Sequence, residues 1–531
     1  MVSVIINNLE NFFKNNKIGY QLSENIFSFT DPVNEGNEFP IYNGYLETNS
    51  STQFVAEGFQ MLSSYIGTFA NPQCIARCPD NKPPYSITND HGFCTLYNYL
   101  AFKIENNWIL IGFIGSQKYQ GCFRIYPDGK IEIFADTENV SAEKFPEQLL
   151  VVDAESLFEC RKQFGNIINK KFPMLKADTS LTGWCSWYCC YEKVSEKDIA
   201  ENLERLKLMP GFDYVLIDDG YQTHMGDWLR FSDKFPCGLP NVIKKIHEAG
   251  KKTAIWVAPF ICSGESSLFK EHPEFLAKDK NGDILRPDKI TYEGWRDLPW
   301  YSLDFSKQET RNYISHVFRY FYKELGITAF KLDSMYWGAI RGAKYHKNIT
   351  GIENIRLGLE TIQKATDGNA YILGCNAPLW PCIGMVHGMR LADDVIRWQN
   401  RFHENVKLLL NRLWMSKSLF QLDPDCICIQ DLENQKASWD DYKFHRNSFF
   451  IFCDILMSGD YLNSLNEENI NFLYECYKHR NDFKIEWQSD DLNTVICFHT
   501  ENNLPIKEKI TVLPSENRIL IEKIDTQPSQ V

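Results

Sequence analysis

The sequence predicts a multidomain chain built around a (β/α)₈ TIM barrel, with an N-terminal β-sandwich before it and a small C-terminal antiparallel β-domain after it. Three observations predict it. At 531 residues the chain exceeds one ordinary core, whereas a barrel takes ~250 residues. Between about 176 and 480, short apolar segments ending in polar residues alternate with helical stretches, the pattern of repeated βα units. On either side the apolar residues return to strand period. The expected divisions are residues 1–175, 176–480 and 481–531.

Residues 1–175 read as β-rich, with turn signals at Asn43-Gly44 and at Pro127-Asp128-Gly129, between FRIY and KIEIFA. Eight barrel strands can then be counted: TGWCSW, YVLIDD, TAIWVAP, ITAFKLD, YILGCN, MRLADD, LFQLDPD and FIFCDILMSG. Eight is the number that closes a barrel. Capping boxes are expected at Ser195 with Asp198 and at Ser306 with Glu309, and the Pro210-Gly211 step and Gly326 should stop the helices that follow them. The connection from Ile261 to Phe305 is too long for a plain βα loop, so it should pass over the barrel mouth with a tight turn at Asn281-Gly282. NTVICFH, KITVL and RILIEKI supply the closing strands, before a polar tail, DTQPSQV.

A net charge of −13 and pI near 5.5 repel phosphate backbones and anionic membrane surfaces, so a neutral small molecule fits better than nucleic acid or membrane. The opening MVSVIINNLENFFKNN lacks the parts of a secretory signal, and no segment has the apolar length of a membrane span. Most of the 17 cysteines sit in apolar runs, Cys426, Cys428, Cys453 and Cys497 among them. That pattern reads as buried free thiols in a reducing compartment, so a cytoplasmic location is expected. Cys74 and Cys78 are a lone C-x₃-C without a second pair, too weak a motif for zinc.

Catalytic groups of a barrel sit at the carboxyl ends of its strands. Asp218 and Asp219 end strand two, Trp256 lies on strand three, and Lys331 and Asp333 end strand four; Arg390, Asp393 and Asp394 end strand six, and Trp184 and Trp187 belong to strand one. Carboxylates with a few cations and indoles suit a sugar, because carboxylates supply acid, base and nucleophile while indole faces cover pyranose C–H surfaces. Lys331 and Asp333, two apart on a strand, share a face, so the lysine should keep Asp333 ionised as a nucleophile. Asp394 has no cation at i±2 and is expected to keep its proton as the general acid. Each residue also has a plainer reading: Asp219-Gly220 as a turn exit, Lys331 as a structural ion pair, the tryptophans as packing, Arg390 as a neutraliser of Asp393 or Asp394. Convergence on one barrel mouth favours the site. His224, His247 and His387 stay unassigned.

GWCSWY, YVLIDDGYQ, GDW with FSDKFPCGL, IWVAPF, FKLD and the CNAP-to-MRLADD stretch, in that order, resemble glycoside hydrolase family 36, the melibiase-type α-galactosidases and raffinose-synthase relatives. The resemblance is strongest over residues 180–400. It implies a retaining α-galactosidase acting on terminal α-linked galactose, without metal or cofactor, in which Asp333 is the nucleophile and Asp394 the acid/base. It also implies that Asp218 and Asp219 bind the sugar's O4 and O6, that Lys331 touches a sugar hydroxyl, and that Trp184, Trp187, Trp256, Arg390 and Cys375 belong to the substrate-binding set. His387 stands where the family pattern has an acid, and Ala392-Asp393 where it has Gly-Pro, so a second acid beside Asp394 is expected to raise its pKa. The competing readings are a transglycosylase, a glycosidase for N-acetylgalactosamine or arabinopyranose, a non-catalytic sugar-binding protein and a metal-dependent barrel enzyme. A homo-oligomer stays open.

Overall fold

A computed structural model describes every residue except 83–84, 178–179, 287–293, 453, 480–482, 502–503 and 525–531. The chain begins with a helix, Val2–Asn16, where the sequence reading expected β-structure. Its buried Ile5, Leu9 and Phe13 recur every four residues, which is helical spacing, and they close one face of the sheet that follows. That sheet has 11 antiparallel strands. Alternate residues of its central strands serve two cores: Ile109, Ile111 and Phe113 face the first helix, while Trp108 and Leu110 pack toward helix Leu157–Lys171 and the barrel. Asn43 and Gly44 are no turn but the end of strand Glu38–Gly44, paired with Glu132 and Ile131. The turn at Pro127–Gly129 is present; Gly129 has φ +101°, and a Cβ there would meet Asn49 Cα at 2.4 Å.

Eight parallel strands form the barrel: Thr182–Cys185, Tyr214–Ile217, Lys252–Val257, Ala329–Leu332, Tyr371–Gly374, Gly388–Arg390, Gln421–Asp423 and Leu456–Ser458. Strands one to seven pair in sequence order, and strand eight pairs with strand one. Closure between strands seven and eight is made by Ile427, beyond strand seven, whose N–H donates to Met457 O at 2.8 Å and whose carbonyl accepts from Gly459 N at 2.9 Å. Strand eight is shorter than expected. Phe449–Phe452 complete turns after helix Trp439–Ser448, and Cys453 lies outside the described residues.

The Ser195–Asp198 capping box starts helix Glu196–Leu206, and Gly211 and Gly326 take positive φ where helices give way to strands. The expected box at Ser306 is absent. Helix Gln308–Arg319 starts after Lys307, because the Ser306 hydroxyl is spent on Asp304 Oδ1 at 2.6 Å. The excursion after strand three holds a hairpin of Ile261–Ser263 with Trp300–Ser302 and the turn at Asn281-Gly282, with Gly282 at φ +91°. Lys484–Gln488, Thr494–Glu501, Leu504–Leu513 and Arg518–Ile524 form a four-stranded antiparallel meander. The expected division at 480/481 and the polar tail fall outside the described residues.

One guanidinium binds the N-terminal sheet to the barrel. Arg412, fully buried, donates to Glu57 Oε2 at 2.7 Å and to Ser63 O at 2.8 Å on the sheet side, and to Leu391 O at 3.0 Å, just after strand six. All 16 described cysteines are free thiols, and no described helix is long and apolar enough to cross a membrane.

Candidate active site

A cavity of about 570 Å³ opens at the carboxyl ends of the strands, and both Asp333 and Asp394 line it. Asp218, Lys331, Cys375 and Trp187 line it too. Trp184, Trp256, Arg390 and Asp219 do not; they stand behind its wall, each at most 1% exposed. Trp256, Arg390 and Asp219 act on lining groups from there. Trp256 Nε1 donates to Asp333 Oδ2 at 3.0 Å, while Trp184 Nε1 is used on Asp460 O at 2.9 Å.

Lys331 pairs with Asp218, Nζ to Oδ2 at 2.8 Å, and not with Asp333. The strand period places Lys331 and Asp333 on one face, but the inside of a barrel also brings strand two across to strand four, and Asp218 takes the ammonium. Lys331 still pulls on Asp333 electrostatically, yet burial wins, and with the charge of Asp394 it lifts the Asp333 carboxyl above its usual range. The expectation of a depressed Asp333 is overturned. Both of its oxygens are held, the second by Ser334 N–H at 2.6 Å, in a backbone turn where Ser334 has φ +51°.

Asp394 also departs from expectation. Its side chain is 54% exposed to the cavity, and Arg390, four residues earlier at the end of strand six, reaches Oδ1 at 2.9 Å. The surrounding cavity walls push its carboxyl up, but Arg390, Lys331 and Arg77 together hold it below the usual carboxylate range. Asp393 stands beside it, but Arg401 and Arg77 each approach Asp393 Oδ2 to 2.7 Å and oppose its charge. Arg390 is shared: Asp425 Oδ2 lies 2.8 Å from the same guanidinium nitrogen, accepts from Val395 N at 2.7 Å and also from the Tyr188 hydroxyl. Burial pushes the Asp425 carboxyl up to about 7. His387 is remote from this wall; it precedes strand six, at the barrel's opposite end, accepts from Ile372 N at 3.1 Å and is kept neutral by burial.

Several lining residues escaped the sequence reading. Met61, Leu62, Arg77 and Tyr85 come from the N-terminal region, and the Tyr85 hydroxyl donates to Asn376 Oδ1 at 3.0 Å. Trp295 and Arg296 come from the excursion after strand three and are tied down by Asp219, which accepts from Trp295 Nε1 and Arg296 Nε, both at 3.0 Å. Asp219 thus holds the loop over the mouth. His224 does the same through Asp297, at 3.0 Å.

The melibiase family model matches residues 146–376. The resemblance to melibiases covers less than half of the chain. The match runs from strand Gln148–Ala154 through barrel strand five and contains Asp218, Lys331 and Asp333, but stops short of Asp394. Among curated proteins, α-galactosidase Mel36A of Lactobacillus acidophilus is 29% identical over 42% of this chain, and α-galactosidase 1 of Pediococcus pentosaceus is 25% identical over 44%. These alignments span about a third of each relative, 30% and 32%. Among solved structures, the α-galactosidase TtGalA of Thermus thermophilus, in complex with p-nitrophenyl α-D-galactopyranoside, superposes with TM-score 0.69. That likeness covers 92% of this chain and 98% of TtGalA at 18% identity, so it extends the shared fold well past the melibiase match. The family 36 α-galactosidase AgaA of Geobacillus stearothermophilus gives TM-score 0.64 over 93% of this chain and 73% of its own, at 12% identity.

Proposed function

We propose that this chain is a retaining α-galactosidase that removes terminal α-linked galactose from oligosaccharides by double displacement, with no metal or cofactor in the chemistry. The observation that carries the reading is the pair of carboxylates, Asp333 and Asp394, lining one sugar-sized cavity from strands four and six. Asp333, gripped through both oxygens by Trp256 and Ser334, attacks the anomeric carbon; a fixed carboxylate loses little freedom in becoming an ester. Asp394, more exposed and hinged on Arg390, protonates the departing oxygen and then takes a proton from the incoming water. The ion pair of Lys331 and Asp218 offers a donor and an acceptor for sugar hydroxyls, with the Trp187 indole and the Cys375 thiol completing the pocket.

Burial lifts the Asp333 carboxyl above its usual range while Arg390, Lys331 and Arg77 hold Asp394 below it, so a bound sugar must redistribute the charge for the two roles. A pyranose that expels water and separates Asp394 from Arg390 raises Asp394, while hydroxyls donating to the Lys331–Asp218 side free Lys331 to act on Asp333. Names of relatives support the galactose specificity: the Lactobacillus and Pediococcus proteins are α-galactosidases, and TtGalA is solved in complex with p-nitrophenyl α-D-galactopyranoside and with stachyose. The three-part division at 175/176 and 480/481 belongs to the same proposal, as does a cytoplasmic location for a chain of free thiols. The test is hydrolysis of p-nitrophenyl α-galactoside followed by proton NMR. α-Galactose as the first anomer is expected; β-galactose first, or no turnover beside active α-N-acetylgalactosaminide hydrolysis, would sink it.

A further inference from the structure

At the far end of the chain, away from the cavity, two imidazoles and a carboxylate converge between the last helix and the C-terminal meander. His479 is the final residue of helix Glu467–His479, while His499 and Glu508 lie diagonally across paired strands, on the inward face that also carries Val495 and Cys497. One ligand-type atom from each of the three lies within 4.8 Å of the others. His499 and Glu508 are both under 10% exposed, and Phe450 and Phe483 wall the His479 ring at 5.2 Å.

An ion pair alone would explain only part of this. His499 Nε2 lies 3.2 Å from Glu508 Oε2, a contact that uses only two of the three groups. The His479 ring centroid lies 4.2 Å from that of His499, which brings a second imidazole to the same carboxylate. A divalent cation uses all three. Two neutral imidazole nitrogens and one carboxylate oxygen are a borderline-soft set that suits zinc, leaving a fourth position for water. Zinc bonds of ~2.1 Å place tetrahedral ligands about 3.4 Å apart, close to the 3.2 Å between His499 Nε2 and Glu508 Oε2.

We propose that His479, His499 and Glu508 bind one zinc ion, which pins the last helix to the C-terminal sheet. The role is structural, so it is independent of the proposed glycosidase chemistry. The whole chain, stripped with chelator and dialysed, is titrated with Zn²⁺ by equilibrium dialysis, and with Co²⁺ while the visible spectrum is recorded. One tight ion per chain is expected, with a tetrahedral-type Co²⁺ band, and Tm should rise about 2 °C at a hundredfold excess over Kd. His479→Ala and the more conservative His479→Gln should each lose the band and the Tm rise, while far-UV circular dichroism shows that at least one of them is folded. A wild-type chain that takes up no tight ion, or a folded His479 variant that keeps the full Tm rise, would overturn the site.

Discussion

The two walls of the cavity carry the same functional group and treat it differently. On the strand-four wall, Asp333 is fixed through both oxygens by its own barrel neighbours, Trp256 and Ser334, and its nearest cation is engaged by Asp218. On the strand-six wall, Asp394 is open to the cavity and answers to three charged layers: Arg390 beneath it, Asp425 beneath Arg390, and Asp393 beside it, tied to Arg77 of the N-terminal region. Rigid placement suits a group that forms a covalent bond; adjustable charge suits one that must gain and lose a proton. The first wall is local, and the second recruits residues from across the chain.

The most direct way to break the comparison is Asp333→Ala. It should lower kcat on p-nitrophenyl α-galactoside on the order of 10⁴-fold or more, with galactose still binding in calorimetry. Asp394→Asn should lose about 10²–10⁴-fold on an alkyl galactoside, whose departing oxygen needs the proton. The loss should be smaller on the p-nitrophenyl substrate, whose leaving group needs little help. Equal losses on both substrates would place Asp394 outside proton transfer.

Smaller changes sharpen the second wall. The proposed acid must be protonated for the first step, so its pKa in the substrate complex sets the alkaline limb of the kcat profile. Asp425→Asn removes a group that turns anionic as pH rises through about 7 and leaves Arg390 entirely to Asp394, so the limb should move to lower pH. Arg77→Gln uncovers the charge of Asp393, so the limb should move to higher pH, and by less, because Arg77 is 47% exposed and screened. Its effect on kcat near the optimum should stay within about fivefold, as an exposed pair is worth ~1 kcal/mol or less. Shifts in the same direction for both variants would show that these charges do not act through Asp394.

The same contrast marks how far the sequence could be read. The strand-four wall was legible because its residues sit at the ends of apolar runs, where barrel geometry alone predicts exposure to the mouth. The partner of Lys331 was not, since period-two reasoning sees neighbours along a strand and not those across the barrel. The strand-six wall was legible only as MRLADD. Arg77 meets Asp393 across 316 residues of sequence, and Tyr85 meets Asn376 across 291, distances at which no local spacing rule has force. Asp425 was visible only as the end of LFQLDPD, and nothing local pointed to Arg390. The first helix was a different failure: the four-residue spacing of Ile5, Leu9 and Phe13 was present but was absorbed into a β-rich reading of the whole segment.

The guanidinium of Arg412 has an engineering consequence. Cutting the protein back to its barrel would strand that charge beneath Leu391 without Glu57 or the carbonyl of Ser63, and an uncompensated interior cation costs several kcal/mol. The first hundred or so residues are therefore not a detachable ornament. A minimal enzyme excised from this chain would need that arginine replaced before it could be expected to hold its shape.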